Sequence, residues 1–348
     1  MDAAESIIAA LGRHARQSPD RIALRFLVSG DTSGPVREWT YRQLQSRVRA
    51  TGRHLRHHYE PGTRVLLWYP PGADFAAGFL GCAYARLTAV PVHLPGSART
   101  GGNASMLARI AASCDAQVIL TTPAALRSAS QPLELATEAA GPRWLATDTG
   151  SPRSLATLAA DLDPPADDPD DIALLRYTPR PAGTPRLTRV THADLTRTIN
   201  GLLDEWHLDD RAQFVSWLPA SLDLGLITGL LYPVLLGATA TLLTQHAFAK
   251  RPLRWLEAIS AYRGTVSAAP SAAYHLCTGT PARELDLSSW SVAAYSIDPD
   301  HHRTMSRFAD SFAAAGFRRE SLTACYGLTP AKLPFTVACR PRPPASWS

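Results

Sequence analysis

Residues 177–192, YTPRPAGTPRLTRVTH, set threonines, one glycine and three arginines between an apolar run and a helical segment. That is the placement of a loop that grips a phosphate. Such a loop works by pointing several backbone N–H groups and hydroxyls at one anion, and glycines permit the left-handed conformations that shape the concavity. Here Pro179 and Pro181 each remove an N–H donor and fix φ. Arg180, Arg186 and Arg189 could replace the lost donors with charge. The alternative is a stiff turn with its arginines in water. That reading fits better, because a phosphate cradle depends on directed donors as well as on net charge.

Other chemistry-bearing groups are sparse. His54, His57 and His58 stand at i, i+3, i+4 with Glu60 nearby, a spacing that can bind a metal on a helix face; a solvated polar helix end is the commoner use. His301 and His302 follow Asp298, Pro299 and Asp300 and read as a helix start. Neither Ser221 nor Ser267 sits in a GxSxG context, so a hydrolase has no support. Of the 35 basic residues only Lys250 and Lys332 are lysines, which leaves two candidates for any mechanism that needs a catalytic lysine. Cys82, Cys114, Cys277, Cys325 and Cys339 form no CxxC pair. Neither a disulfide framework nor a zinc site is expected, and a reducing, cytoplasmic compartment fits best.

The elements that must position these groups follow a simple pattern. A helix at about 4–17 precedes a strand pair at IALRFLV and VREWTY. A helix then follows in which Leu44, Val48 and Leu55 share one face and Thr40 is the expected N-cap. Strands at RVLLWYP, AVPVHL and AQVILTT alternate with helices that include 103–114 and 123–139. This argues for βαβ units in an α/β fold with doubly wound, largely parallel sheets. DLDPPADDPDD (161–171) holds six aspartates and three prolines and reads as a solvated linker. The alternation restarts with IALLRYT, FVSWL, TATLL and GTVSAAP. The expected division is 1–165, the linker at 161–171, 172–335, and a frayed tail at 336–348. GLITGLLYPVLLGATATLL (225–243) is interrupted by Thr228, Pro233 and Gly237. It reads as a buried helix ending near Gly237 and then a core strand, so no membrane span is expected.

Bulk composition narrows the classes further. A net charge of +5 and a pI near 9.1 raise nucleic acid as a partner. The cations are nevertheless spread along the chain, with no dense basic block and no aromatic-interleaved stripe, so no nucleic-acid binding is expected.

The second half of the chain resembles the adenylate-forming enzymes, and the fatty acyl-AMP ligases in particular. VSWLPASLDLGLI (215–227) is similar to that family's WLPxxHDMGLI segment, and RPLRWLEAISAYRGTVSAAPSAAYHLC (251–277) to its RPxRWLxAIxxYxATVSGGPNxAYxLC stretch. ELDLSSWSVAAYSIDP (284–299) resembles the strand ending in NGAEP, and CYGLTPAKL (325–333) the YGLAEATL motif. Residues 177–192 then fall on the YTSGSTGxPKGVxxTH loop. The resemblance covers nearly the whole chain, more loosely before residue 170. It implies activation of a fatty acid carboxylate with ATP and magnesium, followed by transfer of the acyl group to a carrier protein.

The departures fall on polar positions. The serine-glycine-serine-threonine core of the loop is Pro179, Arg180, Pro181 and Ala182; Thr178, Gly183 and Pro185 persist, and Arg186 stands where the family has lysine. The glutamate expected to hold magnesium is Pro330, which has no side-chain oxygen for a cation that demands hard oxygen ligands; its neighbour Thr329 offers a neutral hydroxyl. The family's histidine is Leu222, and Asp223 reads as a helix N-cap. In the adenine-side motif Tyr295, Ser296 and Asp298 replace asparagine, glycine and glutamate, and two glycines have become Ala268 and Ala269. The family's ribose-binding aspartate and its C-terminal domain with the catalytic lysine have no counterpart here; neither Lys250 nor Lys332 matches that lysine. The C-terminal lid domain is therefore expected to be absent.

What remains are the packing positions, among them Trp217, Trp255, Tyr274, Leu287 and Trp290. This pattern implies a truncated, degenerate fatty acyl-AMP ligase homologue, a pseudoenzyme with no catalytic residue, no bound metal and no nucleotide cofactor. Its degenerate phosphate loop would be Thr178, Gly183 and Arg186. Its vestigial adenylate pocket would comprise Tyr295, Ser296, Asp298, Tyr326, Gly327 and Thr329. An acyl pocket would be lined by Trp217, Leu222, Leu226, Ile227, Ser267, Ala268, Ala269 and Pro270. The partners implied are a fatty acyl ligand and an acyl carrier protein or another protein of lipid or polyketide-type biosynthesis. Two alternatives stay open: an acyl-adenylate-forming ligase using ATP and magnesium, with a C-terminal domain supplied in trans, and a decayed gene product.

Overall fold

A computed structural model describes residues 5–93, 100–127, 142–147, 168–178, 186–279, 284–297, 300–326 and 338–340. Two compact units divide the chain, one of residues 1–12 with 42–195 and one of 13–41 with 196–348. Each is built on a largely parallel sheet.

The first unit holds β3 (Arg64–Leu67), β4 (Thr88–Pro91), β5 (Val118–Thr121), β6 (Arg143–Ala146), β7 (Ile172–Thr178) and β8 (Arg186–Thr191), in the order β6-β5-β3-β4-β7-β8. All neighbours run parallel except β7 and β8. Every residue of β4 and β5 is buried, as expected of central strands covered on both faces. The helix α2 (Tyr41–His58) buries Leu44, Val48 and Leu55, the three residues expected on its inner face, and begins directly after Thr40. α3 (Asp74–Tyr84) and α4 (Thr100–Cys114) connect the strands.

In the second unit β1 (Ile22–Leu27), β2 (Val36–Thr40), β9 (Gln213–Ser216), β10 (Thr239–Leu242), β11 (Val266–Ala269), β12 (Val292–Ser296), β13 (Leu322–Tyr326) and β14 (Ala338–Arg340) form one sheet, ordered β14-β13-β12-β11-β9-β10-β1-β2. Only the outermost pairs, β1 with β2 and β13 with β14, run antiparallel. Aromatic rings fill the core beneath it. Trp255, Tyr274, Trp290 and Phe308 meet mostly edge to face, with centroids 5.0–6.1 Å apart. Each buried polar atom among them has an acceptor. Trp255 Nε1 donates to Ser267 Oγ at 2.8 Å, Ser267 Oγ to the Val215 carbonyl at 2.5 Å, Tyr274 OH to Ala294 O at 2.9 Å and Trp290 Nε1 to Val292 O at 2.8 Å. Satisfying these groups removes the desolvation penalty that buried N–H and O–H groups otherwise carry.

The apolar segment 225–243 folds as expected, into helix and then strand, with one addition. α6 (Asp223–Leu226) continues through a π-helical turn, Ile227–Leu231, into α7 (Tyr232–Leu236). Tyr232 N–H bonds back to Ile227 O, five residues away. Pro233 has no N–H to give, and the widened turn precedes it directly. The helix closes at Gly237, whose φ of +80° belongs to the left-handed region; a Cβ there would lie 2.4 Å from the His14 ring. Among the described residues no helix is long and apolar enough to cross a membrane.

Two expectations need correction. The units do not divide at the acidic segment: β7 pairs with β4, so residues 172–191 complete the first sheet, while β1 and β2 join the second through β10. Linear composition cannot show this, because both assignments rest on pairing between distant strands. Residues 161–167 themselves lie outside the described residues, as do 128–139 of the second helix expected there. Cys325, expected as a free thiol, is disulfide-bonded, and Cys339 stands opposite it in the β13–β14 ladder. The chain's return along the sheet edge brings together two cysteines that spacing kept apart. Cys82, Cys114 and Cys277 are free and buried, and burial raises each thiol's pKa, that of Cys277 to about 12.

Candidate functional site

In an open parallel sheet the ligand crevice lies beyond the C-terminal ends of the strands, where the strand order reverses. In the second unit that point is β9: the chain passes from β9 to β10 on one side and then crosses to β11 on the other. The residues leaving β9, β11 and β12 therefore frame the candidate site.

Trp217 follows β9 directly. Its ring stacks flat on Phe248, with centroids 3.9 Å apart and planes within 4°. The side chain is 6% exposed, yet Nε1 is buried with no hydrogen-bond partner among the described residues. Trp206 Nε1 is likewise unpartnered. The loop then turns at Pro219, whose carbonyl accepts from Leu222 N–H at 2.9 Å, and α6 begins. A Cβ on Gly225 would fall 2.2 Å from the Pro219 carbonyl oxygen, so only glycine lets the helix return this close to its own entry loop.

Leu222, in the position of the family histidine, is 43% exposed. It is also the helix N-cap, in extended conformation and with no capping side chain. Asp223, expected as the cap, is the first helical residue; its carboxylate lies in the first turn, where the helix dipole favours negative charge. Leu226 and Ile227 are buried at 2% and 0%, and Thr228 Oγ1 donates to Leu224 O at 2.8 Å.

Beyond β11 and β12 the substituted positions are occupied by packing. Ser267, Ala268 and Ala269 are at most 1% exposed, and Pro270, exposed, leads into α10 (Ser271–Cys277). The Tyr295 ring joins the aromatic core, 6.4 Å from Tyr274 and 5.9 Å from His301. Ser296 Oγ accepts the backbone N–H of Ser271 at 3.3 Å. The larger residues that replace the family's asparagine and glycine thus serve the fold: one fills the core and the other ties β12 to the start of α10. His301 opens the helix α11 (His301–Phe312), as its surroundings suggested, and its ring lies tilted against that of His302, with centroids 3.8 Å apart.

Some expected site residues lie elsewhere. Thr178 and Arg186 belong to the first unit, where they face each other as the terminal pair of the β7–β8 ladder. Gly183, Asp298, Gly327, Thr329, Pro330 and Lys332 lie outside the described residues. Tyr326 is the last residue of β13. Lys250 ends α8 (Gln245–Lys250) and is exposed. The acyl-pocket set, Trp217, Leu222, Leu226, Ile227 and residues 267–270, belongs to the second unit, where most of it is buried and Leu222 and Pro270 are open to solvent.

Among the described residues no group of three or more His, Cys, Asp or Glu side chains could hold a metal ion. His54, His57 and His58 form ring contacts instead, at 4.7 and 4.8 Å. The His54 pKa is lowered, first by burial and then by His58, Arg143 and His57. A cavity of about 520 Å³ does exist, in the first unit at the N-terminal ends of β3, β4 and β7, lined by Arg64, Arg86, Thr88, Asp171, Ile172 and Arg189 among others. Of the residues considered for phosphate contact it holds Arg189 alone, and none of the acyl-pocket or adenine-side residues. Arg86 there is clamped to Asp171 at 2.7 Å.

Comparison with known proteins agrees with this architecture. Residues 11–347 match the family described as AMP-binding enzyme. The chain is 31% identical over 317 residues to the medium-chain-fatty-acid–[acyl-carrier-protein] ligase JamA of Moorena producens, a match covering 90% of this chain and 53% of that protein. It is 31% identical over 338 residues to the long-chain-fatty-acid–AMP ligase FadD32 of Mycolicibacterium smegmatis, covering 94% and 52% respectively. Among solved structures it is similar to a fatty acyl-adenylate ligase from Legionella pneumophila in complex with acyl adenylate and pyrophosphate, with a TM-score of 0.79, 28% identity, and coverage of 92% of this chain and 55% of that one. The chain spans about half the length of the curated relatives it matches.

Proposed function

The chain belongs to the AMP-binding enzyme family, and we propose that within it this protein is a fatty acyl-AMP ligase-like scaffold that no longer adenylates. Its role in this reading is to bind an acyl chain and to dock with, or regulate, a partner such as an acyl carrier protein in lipid or polyketide-type biosynthesis.

The observation that carries the reading is the fate of the substituted positions at the switch point. Leu222 presents an apolar side chain to solvent where the family has histidine; the Tyr295 ring is spent on the core and the Ser296 hydroxyl on a backbone N–H. None of the three offers the polar contact that the family residue at its position would give a nucleotide. The sequence adds Pro179, Pro181 and Pro330, which remove two N–H donors and a carboxylate. ATP would bring the phosphoryl groups and magnesium the Lewis acidity that adenylation needs, and the residues at these positions do not fit either one. No step through them is assigned.

The acyl surface is a different matter. Leu222, Pro270 and the edge of Trp217 would meet the chain, over a floor of Leu226, Ile227, Ser267, Ala268 and Ala269. The unpartnered N–H of Trp217 is a donor for the polar end of such a ligand, since an unmet buried donor carries a penalty that an acceptor relieves. A second reading, adenylation with the remaining domain supplied in trans, is favoured by one observation: Thr178 and Arg186 still frame the loop as a paired hairpin.

Isothermal titration decides between them. The expected result is no heat with ATP and magnesium and micromolar binding of a non-hydrolysable acyl-adenylate analogue or dodecanoate, weakened in Leu222→Asp. Micromolar ATP binding would overturn the pseudoenzyme reading, and silence from the acyl ligands would overturn the acyl-binding one.

A further inference from the structure

Read along the chain, the arginines of residues 41–58 are scattered; on α2 they align. Arg42, Arg49, Arg53 and Arg56 are separated by seven, four and three residues, so they recur on the side of the helix away from buried Leu44, Val48 and Leu55. The row extends about 21 Å along the helix axis. Arg42, Arg56 and His57 are exposed, and Arg49 and Arg53 half-buried. Arg42 and Arg53 engage neighbours, whereas Arg49 and Arg56 have no hydrogen bond or ion pair among the described residues. The 18 residues of the helix include no aspartate or glutamate, and its remaining exposed residues are Gln43, Ser46 and His58. Like charges three and four residues apart oppose helix formation, so at Arg49 and Arg56 the stripe costs the free protein stability.

We propose that this stripe is the docking surface for an acidic helix of an acyl carrier-type partner protein. A row about one residue wide and four helical turns long matches one helix bearing carboxylates at three- and four-residue intervals. It does not match the alternatives as well. The apolar face of α2 is committed to the core, which leaves no wedge for a lipid surface. No Phe, Tyr or Trp lies on the stripe to stack a base. The inference rests on the carrier-linked role proposed above, but it concerns the first unit, away from the acyl surface residues in the sequence of the second.

Fluorescence anisotropy with a labelled holo acyl carrier protein tests it. The wild-type chain should bind, with affinity falling as salt is raised. Arg49→Glu/Arg56→Glu should weaken binding about tenfold or more and flatten the salt dependence. The matched reversal Arg303→Glu/Arg307→Glu, on exposed positions of α11, should change it little. Because the first reversal creates attractive pairs with Arg53, its melting temperature should not fall, so loss of binding cannot be laid to unfolding. Acyl-ligand heat should be the same in both variants, which separates failure of docking from failure of the acyl-binding reading. Equal loss in the two reversals, no binding of the carrier protein by wild type, or tighter binding to anionic phospholipid vesicles than to the carrier protein would each overturn the proposal.

Discussion

In the interior of the second unit Trp255, Tyr274 and Trp290 each direct a polar atom to an acceptor 2.8–2.9 Å away. At the C-terminal ends of the strands above them stand Leu222, an N-cap that caps nothing, and Ser296, a hydroxyl taken up by a backbone N–H. The large packing residues Trp255 and Tyr274 match the family in the resemblance, whereas Leu222 and Ser296 at the rim do not. Folding stability depends on the first set and nucleotide chemistry on the second. A scaffold released from the chemistry but not from folding would show this division.

Substitutions along that boundary should separate the two regions by size of effect. Trp290→Ala, at 0% exposure, should cost about 3–5 kcal/mol, read as a shift in the denaturation midpoint. Gly225→Ala forces a methyl against the Pro219 carbonyl and should cost about 2 kcal/mol; were it neutral, the close turn between β9 and α6 would be wrong. Tyr274→Phe leaves the Ala294 carbonyl without its side-chain donor and should cost about 1 kcal/mol by the same assay. Leu222→His should change stability by less than about 0.5 kcal/mol, because the side chain is exposed. If it instead matched the core substitutions, the rim would be structural, and the contrast on which the proposed function stands would fail.

Much of this was readable in the chain. The alternation of apolar strands and helices placed most elements, since a strand covered on both faces must be apolar throughout. The stop at Gly237 was visible as well, because a left-handed helix end favours glycine. Other features depend on through-space information. Asp223 invited an N-cap reading, yet the cap is set by where the Pro219 turn releases the backbone, one residue earlier. The partition of the units turns on the pairing of β1 with β10 and of β4 with β7, which no local pattern encodes. The arginines of α2 looked dispersed because their order becomes visible only when wound at 3.6 residues per turn.

The pairing of β1 with β10 also sets a timetable. Arg25 lies beside Thr241, 216 residues further along the chain. At roughly 5–20 residues per second, a ribosome needs about 10–40 s to deliver the partner strand. For that interval the β1–β2 hairpin must wait with the apolar side chains of β1 uncovered and one edge unpaired. The second sheet is therefore among the last parts of the molecule to close, and newly made chains depend on whatever shields that hairpin until β10 emerges.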